Sequence, residues 1–102
     1  MLTLKIVKGH RLGKNEASKR AEIAFEQYRK EYEDKISNFQ QSWDSSHEEL
    51  EFVFSIYGLY VSGKIIVNDF SVQVEGKIPL IAIPFKERMT AEIQAELDKT
   101  FG

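Results

Sequence analysis

The 102 residues contain no cysteine, which excludes disulfide staples, thiol nucleophiles and thiolate metal sites. Proline is scarce: Pro79 and Pro84 are the only two, and both fall in one connection near the C-terminal end. Charge of one sign is lacking too. Fourteen basic and sixteen acidic residues are mixed along the chain, so the basic stripe of a nucleic-acid binder is missing and no nucleic-acid partner is expected. The longest apolar run, Ile78 to Phe85, is far shorter than the ~20 residues that span a bilayer, so no membrane span is expected. Met1 leads straight into the strand-like LTLKIV, so no signal peptide is expected, and the expected location is cytoplasmic. GHRLGKNEA has neither the spacing nor the lysine placement of a phosphate loop, and Val61-Ser62-Gly63 lacks the GxSxG frame of a nucleophile elbow.

What is present suffices for one core. A chain with 42% apolar residues and this length buries about 60–65% of its unfolded surface, which implies a single domain over residues 1–102. Its organising stretch is LEFVFSIYGLYVSGKIIVNDFSVQVEGKI, residues 50–78, which reads as three strands joined by two tight turns. With turns at Gly58-Leu59 and Asn68-Asp69, Leu50 faces Val67, Phe52 faces Ile65 and Phe54 faces Gly63. Across the second turn Val67 faces Phe70, Ile65 faces Val72, Gly63 faces Val74 and Leu59 faces Ile78. Both turns put the same apolar set on one face.

Leu2, Leu4 and Ile6 alternate in a first strand, and Asn15 is a plausible N-cap for the helix that follows. From Ala17 onward the apolar positions 17, 21, 24, 25, 28, 32 and 36 fill an arc of about 120°. The other side carries Glu16–Arg20, Glu26–Lys30 and Glu31–Lys35 at i,i+4. Phe39, Gln41 and Trp43 alternate in a further strand, and DSSHEE forms a polar loop. Pro84 suits the first turn of a last helix, along which Phe85, Met89, Ile93, Leu97 and Phe101 recur on one face. The sum is an α+β fold: β-α-β(4)-α in a two-layer sandwich, with an antiparallel five-stranded sheet of order 2-3-4-5-1 and two helices on one face. The other face is mainly polar and is expected to be solvated.

No residue is assigned a catalytic, cofactor-binding or metal-ligating role, and no enzyme activity is expected. His10, before the helix, reads as a turn-stabilising group. His47, among Asp44, Glu48 and Glu49, reads as part of an exposed acidic loop. Lys86 and Arg88 flank Glu87 near a helix start, which fits a solvated face better than an anion site. Phe25, Tyr28, Tyr32, Phe39, Trp43, Phe52, Phe54 and Phe70 are assigned to the interior. Within that set, Phe25, Tyr28, Tyr32, Trp43 and Phe54 are the candidate lining for an apolar ligand between helices and sheet, with plain core packing as the simpler reading. Ile78 and Phe85 are assigned to the core. Leu80, Ile81 and Ile83, in a link expected to follow one extended path, are candidates for an exposed contact patch. Such a patch would serve self-association into a homodimer or contact with another surface; the alternative is that these side chains plug the open end of the core.

Several segments together resemble a known family. They are His10-Arg11-Leu12-Gly13 followed by Ala17 and Ala21, then Val61-Ser62-Gly63, and finally Pro84-Phe85-Lys86-x-Arg88 with Glu92-Ile93 and Leu97-Asp98-Lys99. In order and spacing they are similar to the polyhydroxyalkanoic acid system (granule-region) proteins, small bacterial proteins associated with storage-polyester genes. The resemblance spans nearly the whole chain. It implies a cytoplasmic, non-enzymatic role near polyester granules, with the granule surface or granule proteins as partners. The element order also resembles the TATA-binding-protein-like fold group, which includes helix-grip ligand carriers; that likeness concerns fold alone.

Overall fold

The computed structural model describes residues 2–102. The order along the chain is β1 (Leu2–Gly9), α1 (Lys14–Glu31), β2 (Ile36–Trp43), β3 (Glu49–Ile56), β4 (Leu59–Val67), β5 (Ser71–Ile78), a 3₁₀ segment (Leu80–Phe85) and α2 (Lys86–Phe101). The strands form one antiparallel sheet ordered β1-β5-β4-β3-β2, the α+β topology that the alternation of apolar residues predicts.

The faces are as expected, but the register differs by two residues at each hairpin. Leu50 pairs with Ile65, Phe52 with Gly63, Phe54 with Val61 and Ile56 with Leu59. The first turn is therefore Tyr57-Gly58, whose φ values of 51° and 77° are both positive, as a type I′ turn requires. At the second hairpin Val67 pairs with Val72, and the Asn68 N–H donates to the Ser71 carbonyl at 2.8 Å. Asp69 and Phe70 then form the turn, and Phe70 is exposed instead of buried. A two-residue slip leaves every side chain on its original face, so apolar alternation cannot detect it. Its main consequence falls on Gly63, which lies opposite Phe52 and Gly76 and makes room for the Phe52 ring, not for Phe54.

The tightest core joins both helices to one end of the sheet. Ile6, Val67 and Val72 pack with Ala17 and Ala21 of α1 and with Leu97 and Phe101 of α2. The two alanines let the α1 backbone come close to the sheet. Farther along the helix larger side chains span the gap: the Phe25 ring lies 5.2 Å from that of Phe52 and 6.0 Å from that of Phe39. These aromatics are half-buried, not enclosed as expected. At the opposite end a smaller group, Leu4, Ile78 and Ala82, closes the core.

Helix boundaries shift slightly from expectation. Gly13, with φ 79°, stands at the N-cap of α1 in place of Asn15, and the Ala17 N–H donates to its carbonyl at 3.1 Å. On α1, Glu16–Arg20 pairs as expected, whereas Glu26 turns to Arg29 at 2.9 Å instead of Lys30. Pro84 lies in the 3₁₀ segment just before α2. Strand β2 carries an irregularity between Ser37 and Gln40, where Asn38 adopts a φ of 54°. The bulge bends this edge strand.

Candidate interaction surface

The link from β5 to α2 does not stay extended. Pro79 is extended, and the Ala82 N–H then donates to its carbonyl at 2.9 Å, starting the 3₁₀ segment. With about three residues per turn, only one side of such a helix can face the core. Ala82 takes that side, buried against Leu4 and Ile78. Leu80, Ile81 and Ile83 point elsewhere, at 61%, 74% and 51% exposure. They do not plug the core; of this segment only Ala82 does, beside Leu59, Val61 and Met89. Phe85 is 54% exposed as well, so of the two residues assigned to the core at this link only Ile78 belongs there. Tyr57, also exposed, stands in the β3–β4 turn at the same end of the sheet. Sequence reasoning missed Phe85 because its spacing fits the α2 stripe, which in fact begins at Met89.

The five residues predicted to line an apolar ligand are only partly gathered. Phe25 and Phe54 each neighbour Phe52, with ring centroids 5.2 and 6.1 Å apart, and Tyr28 lies 4.7 Å from Tyr32. Burial and the neighbouring Tyr32 push the Tyr28 phenol above its ordinary range. Trp43 stands apart, stacked on His47 at 4.1 Å near the N-terminal half of α1. Two hollows, of about 450 and 540 Å³, are both open to solvent, and none of the five residues lines either one. The first lies across the helix-free face of the sheet, among Thr3, Gln40, Ser42, Ser62, Lys64 and Lys77.

The second hollow contains His10, which is buried and has both ring nitrogens occupied. Its Nδ1 accepts from the Leu12 N–H at 3.2 Å, so the proton lies on Nε2, which donates to the Asn68 carbonyl at 3.1 Å. The His10 backbone N–H adds a bond to the Phe70 carbonyl at 2.8 Å. His10 thus clasps the β4–β5 turn to the start of α1, extending the turn-stabilising role read from sequence across 58 positions of chain. His47 is tied down too: its Nε2 lies 2.9 Å from Glu22, and its carbonyl accepts from the Ser18 hydroxyl. Asp44 organises the loop beside it, accepting from the N–H groups of Glu48 and Glu49. Those bonds, the one from Glu49 foremost, hold its carboxyl below the usual range. Among the described residues no group of three or more His, Asp or Glu side chains is arranged to hold a metal. No helix among them is long and apolar enough to cross a membrane.

The profile of the family described as "putative polyhydroxyalkanoic acid system protein" matches residues 4–101. The chain belongs to this family. No curated protein and no solved structure matches it. In this member of the polyhydroxyalkanoic acid system family, the segments that carry the resemblance have visible structural roles. His10 and Gly13 shape the β1–α1 turn, Gly63 admits Phe52, and Leu97 docks α2 on the sheet. Only Pro84-Phe85 and the residues beside it lie on exposed apolar surface.

Proposed function

We propose that the protein is a non-catalytic, cytoplasmic interaction protein of the polyester-storage system, and that it holds an apolar surface through Leu80, Ile81, Ile83 and Phe85. The observation that carries this reading is the exposure of four large apolar side chains on one six-residue segment, while Ala82 alone serves the core. Exposed apolar clusters are costly to solubility and mark contact sites. A storage-polyester granule offers a matching apolar surface, and family membership supports that partner over an arbitrary one. A second copy of the chain is the alternative occupant. The reading as a carrier of a small apolar ligand has less support, because its candidate lining borders neither hollow.

The test is the double variant Leu80→Ser, Ile81→Ser, compared with wild type for binding to polyester particles, sedimentation and thermal melting. Loss of particle binding at an unchanged melting temperature is the expected result. Wild-type protein that stays uniformly in solution beside polyester particles, with no material co-sedimenting, would overturn the proposal.

A further inference from the structure

The hollow beside His10 lies at the opposite end of the sheet from Leu80–Phe85, and at about 540 Å³ it is of small-molecule size. Its floor is largely apolar and held in place. Phe101 and His10 are both buried, with their rings 5.9 Å apart, and the half-buried Leu12 completes the floor. Both His10 nitrogens are engaged, with the Leu12 N–H and the Asn68 carbonyl, so the imidazole offers a surface and not a ligating group. These bonds and the Lys8–Asp98 bridge tie β1, the β4–β5 turn and α2 around the hollow in advance, which lowers the ordering cost of binding.

The rim carries two side chains that the fold does not use. Phe70 occupies a turn position that Gly, Asn, Asp or Ser would fill at least as well, and its ring is 76% exposed. Arg11 is exposed and makes no ion pair among the described residues. Lys8, the other cation of the lining, is engaged by Asp98, and no acidic side chain lines the hollow. A free guanidinium presents a planar fork that a carboxylate fills with two parallel hydrogen bonds. Two phenyl rings and an imidazole offer the faces and edges against which a further aromatic ring packs. One uncommitted cation matches a single carboxylate better than a phosphate dianion.

We infer that this hollow binds a small aromatic monocarboxylate. Arg11 takes the carboxylate, and the ring of the ligand packs between Phe70 and Phe101. The site shares no residue with the contact surface proposed above, so neither depends on the other.

The experiment titrates the isotope-labelled full chain with phenylacetate, its neutral amide phenylacetamide, and acetate, and follows the backbone amide resonances. Phenylacetate should bind with a Kd of about 0.1–1 mM and shift the amides of Arg11, Leu12, Phe70 and Phe101 most. Phenylacetamide, which lacks the charge, should bind at least about tenfold more weakly, and so should phenylacetate to Arg11→Gln. Phe70→Ser should weaken phenylacetate by about tenfold, and acetate, which lacks the ring, should not saturate below about 10 mM. Both substituted side chains are exposed, so the variants should melt like wild type. Equal binding of acid and amide, wild-type affinity in either variant, or saturation by acetate at phenylacetate concentrations would overturn the inference. Shifts that map away from the hollow, or none up to about 10 mM phenylacetate, would overturn it too.

Discussion

Replacing Gly63 by alanine adds one carbon at the place where the inner face of the sheet is most crowded. Strand β4 is the middle strand, so Gly63 has neighbours on both sides: Phe52 on β3 and Gly76 on β5. A Cβ there would lie 2.8 Å from Phe52 Cζ and 3.2 Å from the Gly76 Cα, and would also meet the Glu75 carbonyl oxygen. The phenyl ring can swing away. The carbonyl cannot, because it belongs to the backbone of the neighbouring strand. Overpacking of this kind costs about 1–3 kcal/mol, and the backbone contact puts Gly63→Ala at the upper end, about 2–3 kcal/mol. For a domain of this size that is a fall of roughly 10–20 °C in melting temperature, readable by circular dichroism. Phe52→Leu in the same chain should restore part of the loss, giving a coupling above about 0.5 kcal/mol in a double-mutant cycle, while Phe54→Leu should restore none. Gly63→Ala melting within about 2 °C of wild type, or rescue by Phe54→Leu instead, would refute the register on which this reasoning stands.

Ala82 and its neighbours should respond in opposite ways: Ala82→Leu costs about 1–3 kcal/mol by overpacking, whereas Leu80→Ser with Ile81→Ser stays within about 0.5 kcal/mol per site, both measured by urea unfolding. His10→Ala removes the clasp and leaves the Asn68 carbonyl and the Leu12 N–H without their partner, so thermal melting should report a loss of about 1–3 kcal/mol. Asp44 has a folded-state pKa below its unfolded value. Its contribution to stability is therefore present above the ordinary carboxylate range and lost as pH falls through the folded pKa, and Asp44→Asn should flatten the acid side of a stability–pH profile. Tyr28 has the opposite sign: its raised phenol pKa gives a contribution present below about pH 10 and lost at higher pH, so Tyr28→Phe should flatten the alkaline limb.

The strand order, both helices and the division of the sheet into two faces were legible because each follows from the period of apolar residues. Leu50, Val67, Val72 and Ile78 fall on the predicted inner face and are buried. Register was not legible, since a slip of two residues preserves that period. The turn residues should have decided it: Gly58 as the second turn residue suits type I′, and the sequence reading placed it first. Phe70 was assigned inward by the same slip, and in fact stands exposed in a turn whose carbonyls are taken by His10. That clasp joins residues 58 positions apart, and no local pattern announces it. The contact segment was half legible. An excess of apolar side chains for one short link was plain from Ile78 to Phe85, but which of them face inward depends on a 3₁₀ turn with a single inward side.

Cohesion is distributed unevenly between the two ends of the molecule. The end that holds His10 has the larger buried cluster around Ile6, Val67 and Phe101, a histidine clasp, and the Lys8–Asp98 bridge at 2.9 Å from β1 to α2. The other end has a smaller buried group, Leu4, Ile78 and Ala82, with the half-buried Leu2, Leu59, Val61 and Met89 packed against it. Backbone amides should therefore exchange with solvent fastest around Ala82 and the start of α2, and slowest on β5 near Val72. A segment that opens at little cost can reshape itself on whatever it touches while the sheet keeps its form. The adjustable end of the protein is thus the one that carries the exposed side chains.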